Sequence, residues 1–115
     1  MIAIKIPMDK RDFSKFIEHS NIFGLTRDAM RICFGNWYED APNQFIEDMR
    51  ADFDTVMTLY CFYDAMVSVD KNYNFEPELY TITCRITIND DEDNYCIAYR
   101  AVFDFDLNII DDIIS

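Results

Sequence analysis

The hydrophobic positions at the start of the chain alternate, and they then repeat with the spacing of a helix. The alternating run IAIKI, residues 2–6, predicts a short first strand. Asp9 has the character of a helix N-cap, and the helix that it begins is expected to end near Gly24. Thr26 in the same way predicts the cap of a second short helix, which ends just before Gly35.

The middle of the chain keeps apolar residues three and four positions apart over a long run. We interpret this run as one long helix from about Ala41 to about Val67, opened by Asp40 and Pro42. Residues 55–63 are also rich in β-branched and aromatic side chains, so a strand there is the competing interpretation. The residues that follow the helical spacing are Ile46, Met49, Phe53, Val56, Tyr60, Tyr63 and Val67.

Residues 78–105 predict a β-hairpin whose turn is centred between Asp91 and Glu92. One face of the paired strands is entirely apolar or aromatic when Ile82 stands opposite Ala101, so the register is well specified. The residues of that face are Tyr80, Ile82, Cys84, Ile86 and Ile88 with Tyr95, Ile97, Tyr99, Ala101 and Phe103.

The other face of this hairpin carries threonines with Arg85 and Arg100 diagonal to each other, and it suggests a solvated sheet face. The terminal run LNIIDDIIS, residues 107–115, has the spacing of one or two amphipathic helical turns. The patterns together predict an α+β fold: an antiparallel sheet of about three strands, made of the β-hairpin 78–105 and the N-terminal strand, packed against two short helices and one long helix. We expect residues 1–115 to form a single compact domain.

The formal net charge of −12 is unevenly spread along the 115 residues. Residues 1–35 hold six basic and four acidic side chains, whereas residues 36–115 hold four basic and eighteen acidic ones. Such an excess of carboxylates repels DNA, RNA and anionic lipid, and it attracts cationic protein surfaces. We therefore expect a basic protein partner, with no direct binding of nucleic acid or membrane. No apolar run approaches the roughly 20 residues of a membrane span, and a cytoplasmic location is expected.

Signatures of catalysis and of metal binding are absent from the sequence. The one histidine, His19, has no clustered cysteines with which it could form a zinc site, because the cysteines are 12 or more positions apart. The chain has two glycines and no glycine-rich phosphate loop. We expect no enzymatic activity and no cofactor. The cysteines are Cys33, Cys61, Cys84 and Cys96.

The first candidate site is the run of four carboxylates at the tip of the predicted hairpin: Asp90, Asp91, Glu92 and Asp93. One interpretation is a solvated turn whose charges prevent pairing with other chains. A calcium loop is a second interpretation, although the run lacks the glycine and the spaced ligands of such sites. The third is an electronegative projection that docks into a basic groove.

The second candidate site is a carboxylate array on the predicted long helix, formed by Glu47, Asp48, Asp52 and Asp54. Residues four and seven apart on one helix lie roughly 6 and 10 Å apart along its axis, so such an array can imitate a row of phosphates. Like charges at this spacing also repel each other, and only Arg50 is close enough to offset them. This repulsion suggests a use in binding.

The third candidate site is the stretch Trp37, Tyr38, Glu39 and Asp40, which joins the only tryptophan to two acids. The simplest interpretation of Trp37 is a residue that fills the core. The alternative is an aromatic anchor ringed by carboxylates, a composition favoured at interfaces with arginine-rich surfaces.

These features lead to three functional hypotheses. The first is a small acidic inhibitor that covers the basic nucleic-acid-binding surface of another protein. Its size, charge and lack of an active site resemble those of phage-encoded anti-defence proteins, including DNA mimics that block restriction or CRISPR effectors; the likeness is one of type and involves no shared motif. The second is an immunity protein or antitoxin that neutralises a basic nuclease. The third is a small ligand-binding or assembly domain, such as a homodimer joined through the terminal isoleucines, whose acidity serves only solubility.

Overall fold

The computed structural model describes residues 9–73 and 79–115, so the strand predicted over residues 2–6 lies outside the described residues. The predicted α+β class is confirmed, with one strand more than the three expected. The described helices are α1 (Lys10–Ser20), α2 (Ile22–Asp40), α3 (Pro42–Met49) and α4 (Phe53–Leu59). The described strands are β1 (Cys61–Asn72), β2 (Leu79–Asn89), β3 (Tyr95–Phe103) and β4 (Ile109–Ile114), paired antiparallel in that order.

The first helix begins as predicted and ends earlier than predicted. Asp9 caps α1, because its Oδ1 accepts the backbone N–H of Asp12 at 2.7 Å. The chain then leaves the helix at Asn21, which takes the left-handed conformation with φ of 54°. Asparagine is one of the few residues other than glycine that adopt this conformation readily. The helix therefore ends at Ser20 instead of near Gly24.

The second helix is long, and the prediction of a short helix capped by Thr26 is wrong. Helix α2 runs through both Gly24 and Gly35 without a break. Thr26 lies inside it, and its hydroxyl donates to the carbonyl of Ile22 at 2.8 Å. The two glycines are tolerated because every fourth residue of α2 is buried and packing holds the helix together. These buried residues are Ile22, Thr26, Met30 and Phe34.

The single long helix predicted over residues 41–67 is also wrong. Helix α3 stops where Arg50 takes a left-handed conformation with φ of 63°, and Asp52 then caps the separate helix α4. Strand β1 begins at Cys61, so the competing strand interpretation of residues 55–63 holds only for the last three of them. The apolar spacing of three and four continues across both breaks, and it therefore gave no sign of them.

The hairpin of β2 and β3 is confirmed, with its register displaced by two residues. Ile82 stands opposite Phe103 instead of Ala101, and an irregularity between Ile88 and Asn89 absorbs the difference. A displacement of two residues leaves every side chain on its predicted face. Eight of the ten residues of the apolar face are buried or partly buried, whereas Tyr80 and Tyr95 are exposed. The predicted turn lies at its predicted place.

The terminal run predicted to form helical turns is instead strand β4, which pairs with β3 and lies at the edge of the sheet. The helices pack on the apolar face, where Phe34 of α2 contacts Tyr99 of β3 edge-to-face at 6.2 Å. We call the opposite face of the sheet, which points away from the helices, the open face. It is only partly solvated, in contrast to the prediction, because Thr81, Ala98 and Val102 on it are buried. The face carries Tyr63, Met66, Ser68 and Asp70 of β1, Thr81, Thr83, Arg85 and Thr87 of β2, Ala98, Arg100 and Val102 of β3, and Asp111 and Ile113 of β4.

Candidate functional site: the acidic hairpin tip and its surroundings

The turn between β2 and β3 is organised by Asp90. Its Oδ1 accepts the backbone N–H groups of Glu92 and Asn94 at 3.0 and 2.9 Å. The backbone N–H of Asp93 also donates to the Asp90 carbonyl at 3.0 Å. Aspartate suits this position because a short carboxylate can accept from the backbone two residues on. These bonds, mainly that from Asn94, hold the pKa of Asp90 below its usual value.

The sequence suggested that Asp90 is part of an exposed projection. In the structure it is not, because only 9% of its surface is accessible. Its second oxygen lies 3.3 Å from the guanidinium of Arg50. Asp93 is also engaged: its carboxylate accepts from the Tyr63 hydroxyl at 2.8 Å and from the Asn89 amide at 3.1 Å. These bonds lower the pKa of Asp93 and raise that of Tyr63 to about 12.

Asp91 and Glu92 are the two acids of the run that remain exposed. Among the described residues, neither carboxylate accepts a hydrogen bond or forms an ion pair. The four acids therefore divide into two that build the turn and two that point to solvent. Of the three interpretations, the solvated turn and the projecting charge remain compatible with the described geometry. The projecting charge would then consist of two carboxylates instead of four.

Arg50 joins the hairpin tip to the end of α3. Its left-handed backbone turns the chain there, and its guanidinium donates to Cys96 Sγ at 2.8 Å and to the Tyr95 carbonyl at 3.4 Å. Tyr60 closes the same corner, because its buried hydroxyl donates to the Met49 carbonyl. Two sequence-predicted sites, the hairpin tip and the α3 carboxylates, thus lie at one corner of the molecule.

The four helix carboxylates do not form the predicted single array. Glu47 and Asp48 are exposed on α3, whereas Asp54 is exposed on α4, beyond the turn at Arg50. Asp52 has a structural role, because it caps α4 by accepting the N–H of Thr55 at 2.9 Å, and this bond lowers its pKa. A row of carboxylates along one helix axis is therefore excluded by the break between α3 and α4.

The aromatic residues of the third candidate site belong mainly to the core. Trp37 is partly buried and meets the ring of Phe45 at a centroid distance of 4.8 Å. Tyr38 contacts the same ring at 5.2 Å. Glu39 and Asp40 are exposed at the end of α2. The simpler interpretation of Trp37 as a core residue fits this packing, and its remaining exposed edge lines a groove beside β4.

Two shallow apolar grooves flank strand β4, and the sequence did not point to them. One has a volume of about 490 Å³ and lies beside Trp37, Asp48 and Ile114. The other has a volume of about 570 Å³ and lies between α2 and β4, where Ile32 is 66% exposed. The terminal run LNIIDDIIS nevertheless contains a sequence signal for these grooves, because an edge strand with isoleucines on both sides leaves some of them in solvent. The exposed isoleucines here are Ile32, Ile109, Ile113 and Ile114.

The groove between α2 and β4 contains a thiol, but that thiol is not activated. Burial, together with the nearby carboxylate of Asp112, raises the pKa of Cys33 to about 11. Asp112 also accepts from the Tyr99 hydroxyl at 2.9 Å. A thiol whose pKa is raised stays protonated at neutral pH and is a poor nucleophile. All four cysteines are unpaired.

Between the described residues, two ion pairs join an arginine to an aspartate: Arg27 with Asp64, and Arg50 with Asp90. Most carboxylates of residues 36–115 therefore have no cationic partner within the described chain. In residues 9–73 and 79–115 no group of three metal-ligating side chains is positioned to hold a metal ion. Within the same ranges no helix is both long and apolar enough to cross a membrane.

No protein-family model, curated protein or solved structure matches this chain.

Proposed function

We propose that this protein is a non-enzymatic acidic inhibitor that binds the basic nucleic-acid-binding surface of a partner protein. The observation that carries the proposal is the set of exposed carboxylates at one corner of the molecule, without cationic partners among the described residues. Asp91 and Glu92 at the hairpin tip belong to it, and Arg50 links them to Glu47 and Asp48 on α3. Unpaired carboxylates raise the electrostatic energy of the free protein, and a basic partner relieves this repulsion.

The mechanism would be competition for the partner's lysines and arginines. Carboxylates at the corner occupy the cations that otherwise hold phosphates, and the long-range field accelerates the encounter of the two proteins. The apolar grooves beside β4 offer contacts that slow dissociation, because buried aliphatic and aromatic side chains contribute most of the binding energy at interfaces. Such an inhibitor would act in the cytoplasm, as phage-encoded DNA mimics directed against restriction or CRISPR effectors do.

The test is capture of a partner followed by competition with DNA. The protein is immobilised, a host-cell lysate is passed over it at about 50 mM salt, and bound proteins are eluted with duplex DNA in one arm and a neutral polymer in the other. We expect DNA to displace the captured protein and the neutral polymer to leave it bound. Retention of the captured protein in both arms would contradict the proposal, because the contact would then lie outside a nucleic-acid site.

An immunity protein or antitoxin would bind through the same electrostatic attraction, but its target would be a basic nuclease. Capture of a nuclease encoded next to the gene would favour it. The assembly hypothesis rests on a separate observation, the exposed isoleucines of the edge strand β4. Sedimentation of the purified protein separates this hypothesis from the other two, since a dimer seam predicts a mass twice that of the 13.7 kDa chain.

A further inference from the structure

We propose that the open face of the sheet binds the oxyanion head of a small amphiphilic molecule, with Arg85 and Arg100 as its two cationic groups. The two arginines stand directly opposite each other on the central strands β2 and β3. Within residues 9–73 and 79–115 the ion pairs are made by other arginines, and Arg85 and Arg100 have no carboxylate partner. This is a local excess of positive charge on a molecule whose net charge is −12.

The arrangement is unfavourable unless an anion is bound. Like charges directly opposite each other destabilise a pair of strands. The Nε atom of each arginine is buried and has no hydrogen-bond acceptor, and a buried donor without a partner also costs free energy. A single oxyanion between Arg85 and Arg100 would relieve both costs, because carboxylate and phosphate oxygens accept from two guanidinium groups at once.

Apolar side chains on either side of the pair define the rest of the ligand. Met66 of β1 stands opposite Arg85, and Ile113 of β4 stands opposite Arg100, so the four side chains form one row across the open face. Met66 is 44% exposed and Ile113 is 40% exposed. The row suits an anionic head with an aliphatic body, which would cover these two side chains.

Two carboxylates lie on the open face, and the one nearer the arginine pair competes with the ligand. Asp70 stands opposite Thr81, four positions along β1 from Met66, and accepts from the Ser68 hydroxyl at 2.8 Å. Asp111 stands opposite Val102, two positions along β4 from Ile113. Its Oδ1 accepts the backbone N–H of Asp112 at 2.9 Å, and it forms no ion pair with Arg100. Its charge still lowers the positive potential at the pair. Removal of this charge is therefore expected to strengthen anion binding.

The test uses the full chain with two probes, octanoate and octyl phosphate, and with inorganic phosphate and 1-octanol as controls for head and tail. Binding is followed by NMR through the backbone amides and the Nε–H signals of Arg85 and Arg100. We expect both Nε–H signals to shift saturably with an amphiphilic probe. A preference for octanoate identifies a carboxylate ligand, and a preference for octyl phosphate identifies a phosphate monoester.

Substitutions then assign the binding to the pair. We expect Arg85→Gln and Arg100→Gln each to weaken binding about tenfold or more, and Asp111→Asn to strengthen it severalfold. Arg31→Gln, an exposed arginine of α2, is the matched control and should leave the affinity unchanged. Because each Gln variant removes one of two like charges, its thermal midpoint should not fall, which separates a lost site from a lost fold.

Three results would overturn the proposal. The first is the absence of any saturable shift at millimolar probe. The second is binding that survives in both Gln variants or that falls equally in Arg31→Gln. The third is binding of inorganic phosphate or 1-octanol as tight as that of the amphiphilic probes, since the row of Met66 and Ile113 would then contribute nothing.

Discussion

The four neighbouring acids of the hairpin tip show that the position of a carboxylate within a turn decides its role. Asp90 and Asp93 accept hydrogen bonds from the turn and from Tyr63, whereas Asp91 and Glu92 accept none among the described residues. The sequence predicts the turn and its charge, but not this division. The division depends on which oxygens reach backbone N–H groups, and that follows from the backbone dihedrals of the finished turn.

The first prediction concerns Asp90 and the pH dependence of stability. The Asp90→Asn variant keeps an oxygen that can accept from Glu92 and Asn94, but it loses the charge that faces Arg50. We expect its thermal midpoint at pH 7 to lie a few degrees below that of the wild type. The folded-state pKa of Asp90 is depressed, so the charge stabilises the fold fully above about pH 5 and this contribution disappears as pH falls through the folded-state value.

The measurement is thermal unfolding of both proteins by circular dichroism between pH 7 and pH 2. The difference between their midpoints should be largest above about pH 5 and should shrink below about pH 4. Asp91→Asn is the control, since it removes an equal charge from the same exposed turn without removing a bond. If Asp91→Asn lowered the midpoint as much as Asp90→Asn, the stabilising contribution assigned to the Asp90 charge beside Arg50 would be wrong.

At the scale of secondary-structure elements, the hydrophobic pattern predicts some boundaries and conceals others. The cap at Asp9 and the hairpin turn are visible because they combine a polar residue with a change of period. The breaks at Arg50 and Tyr60 are invisible to the pattern, because apolar residues three and four apart continue from α3 into α4 and β1. A residue such as Arg50 is not a usual helix terminator, and tertiary contacts with Cys96 stabilise it there.

The register of the hairpin shows the same limit. Matching the apolar faces determines which residues share a face of the sheet. It does not determine the exact register, because a displacement by two residues preserves both faces. The observed register is set by the irregularity at Ile88 and Asn89, beside the turn that Asp90 organises. This register moves Arg85 and Arg100 from diagonal to directly opposite positions, the arrangement on which the proposed anion site depends.

The second prediction compares the two glycines of α2. A Cβ added at Gly35 would lie 3.8 Å from the ring of Phe53, an ordinary contact, whereas one added at Gly24 would overlap the Asn21 side chain. We expect Gly35→Ala to raise the free energy of unfolding by about 0.5–1 kcal/mol, because alanine has the higher helix propensity. Gly24→Ala should give no such gain. Chemical denaturation measures both variants, and equal gains would contradict the close packing of Asn21.

The third prediction concerns the edge strand β4, whose central acids protect it from pairing with a second copy. Antiparallel self-pairing of Ile109–Ile114 brings Asp111 and Asp112 close to the same residues of the other copy, which is unfavourable. We expect Asp111→Val to promote self-association at high protein concentration. Sedimentation velocity detects it, with Asp106→Val, an exposed residue of the β3–β4 turn, as the control. If neither variant associated more than the wild type, Asp111 would not be needed to protect the edge.

At the scale of the whole molecule, exposed carboxylates lie on most elements, and the hairpin tip and α3 bring one set of them to the same corner. The exposed basic residues Lys10, Arg11 and Lys15 lie on α1, together with the exposed acids Asp12 and Glu18. The sequence alone shows the excess of acids in residues 36–115. It does not show that Arg50 brings the hairpin and α3 together, because the partners of Arg50 are 40 or more positions away along the chain.

The fourth prediction tests whether the place of the negative charge matters, or only its amount. The tip variant combines Asp91→Lys with Glu92→Lys, and the control variant combines Glu18→Lys with Asp106→Lys. Each double variant reverses two exposed carboxylates. Each reversal adds two positive charges, so both double variants move the formal net charge from −12 to −8.

Their affinities for the partner obtained by DNA-competed capture are compared by calorimetry at about 50 mM and about 500 mM salt. We expect the tip variant to bind at least about tenfold more weakly at low salt and the control to bind nearly as well as the wild type. High salt should reduce the wild-type affinity and narrow the gap, because the screening length falls well below about 10 Å. Equal losses in the two variants would mean that net charge alone attracts the partner. A wild-type affinity independent of salt would remove the electrostatic basis of the proposed inhibition.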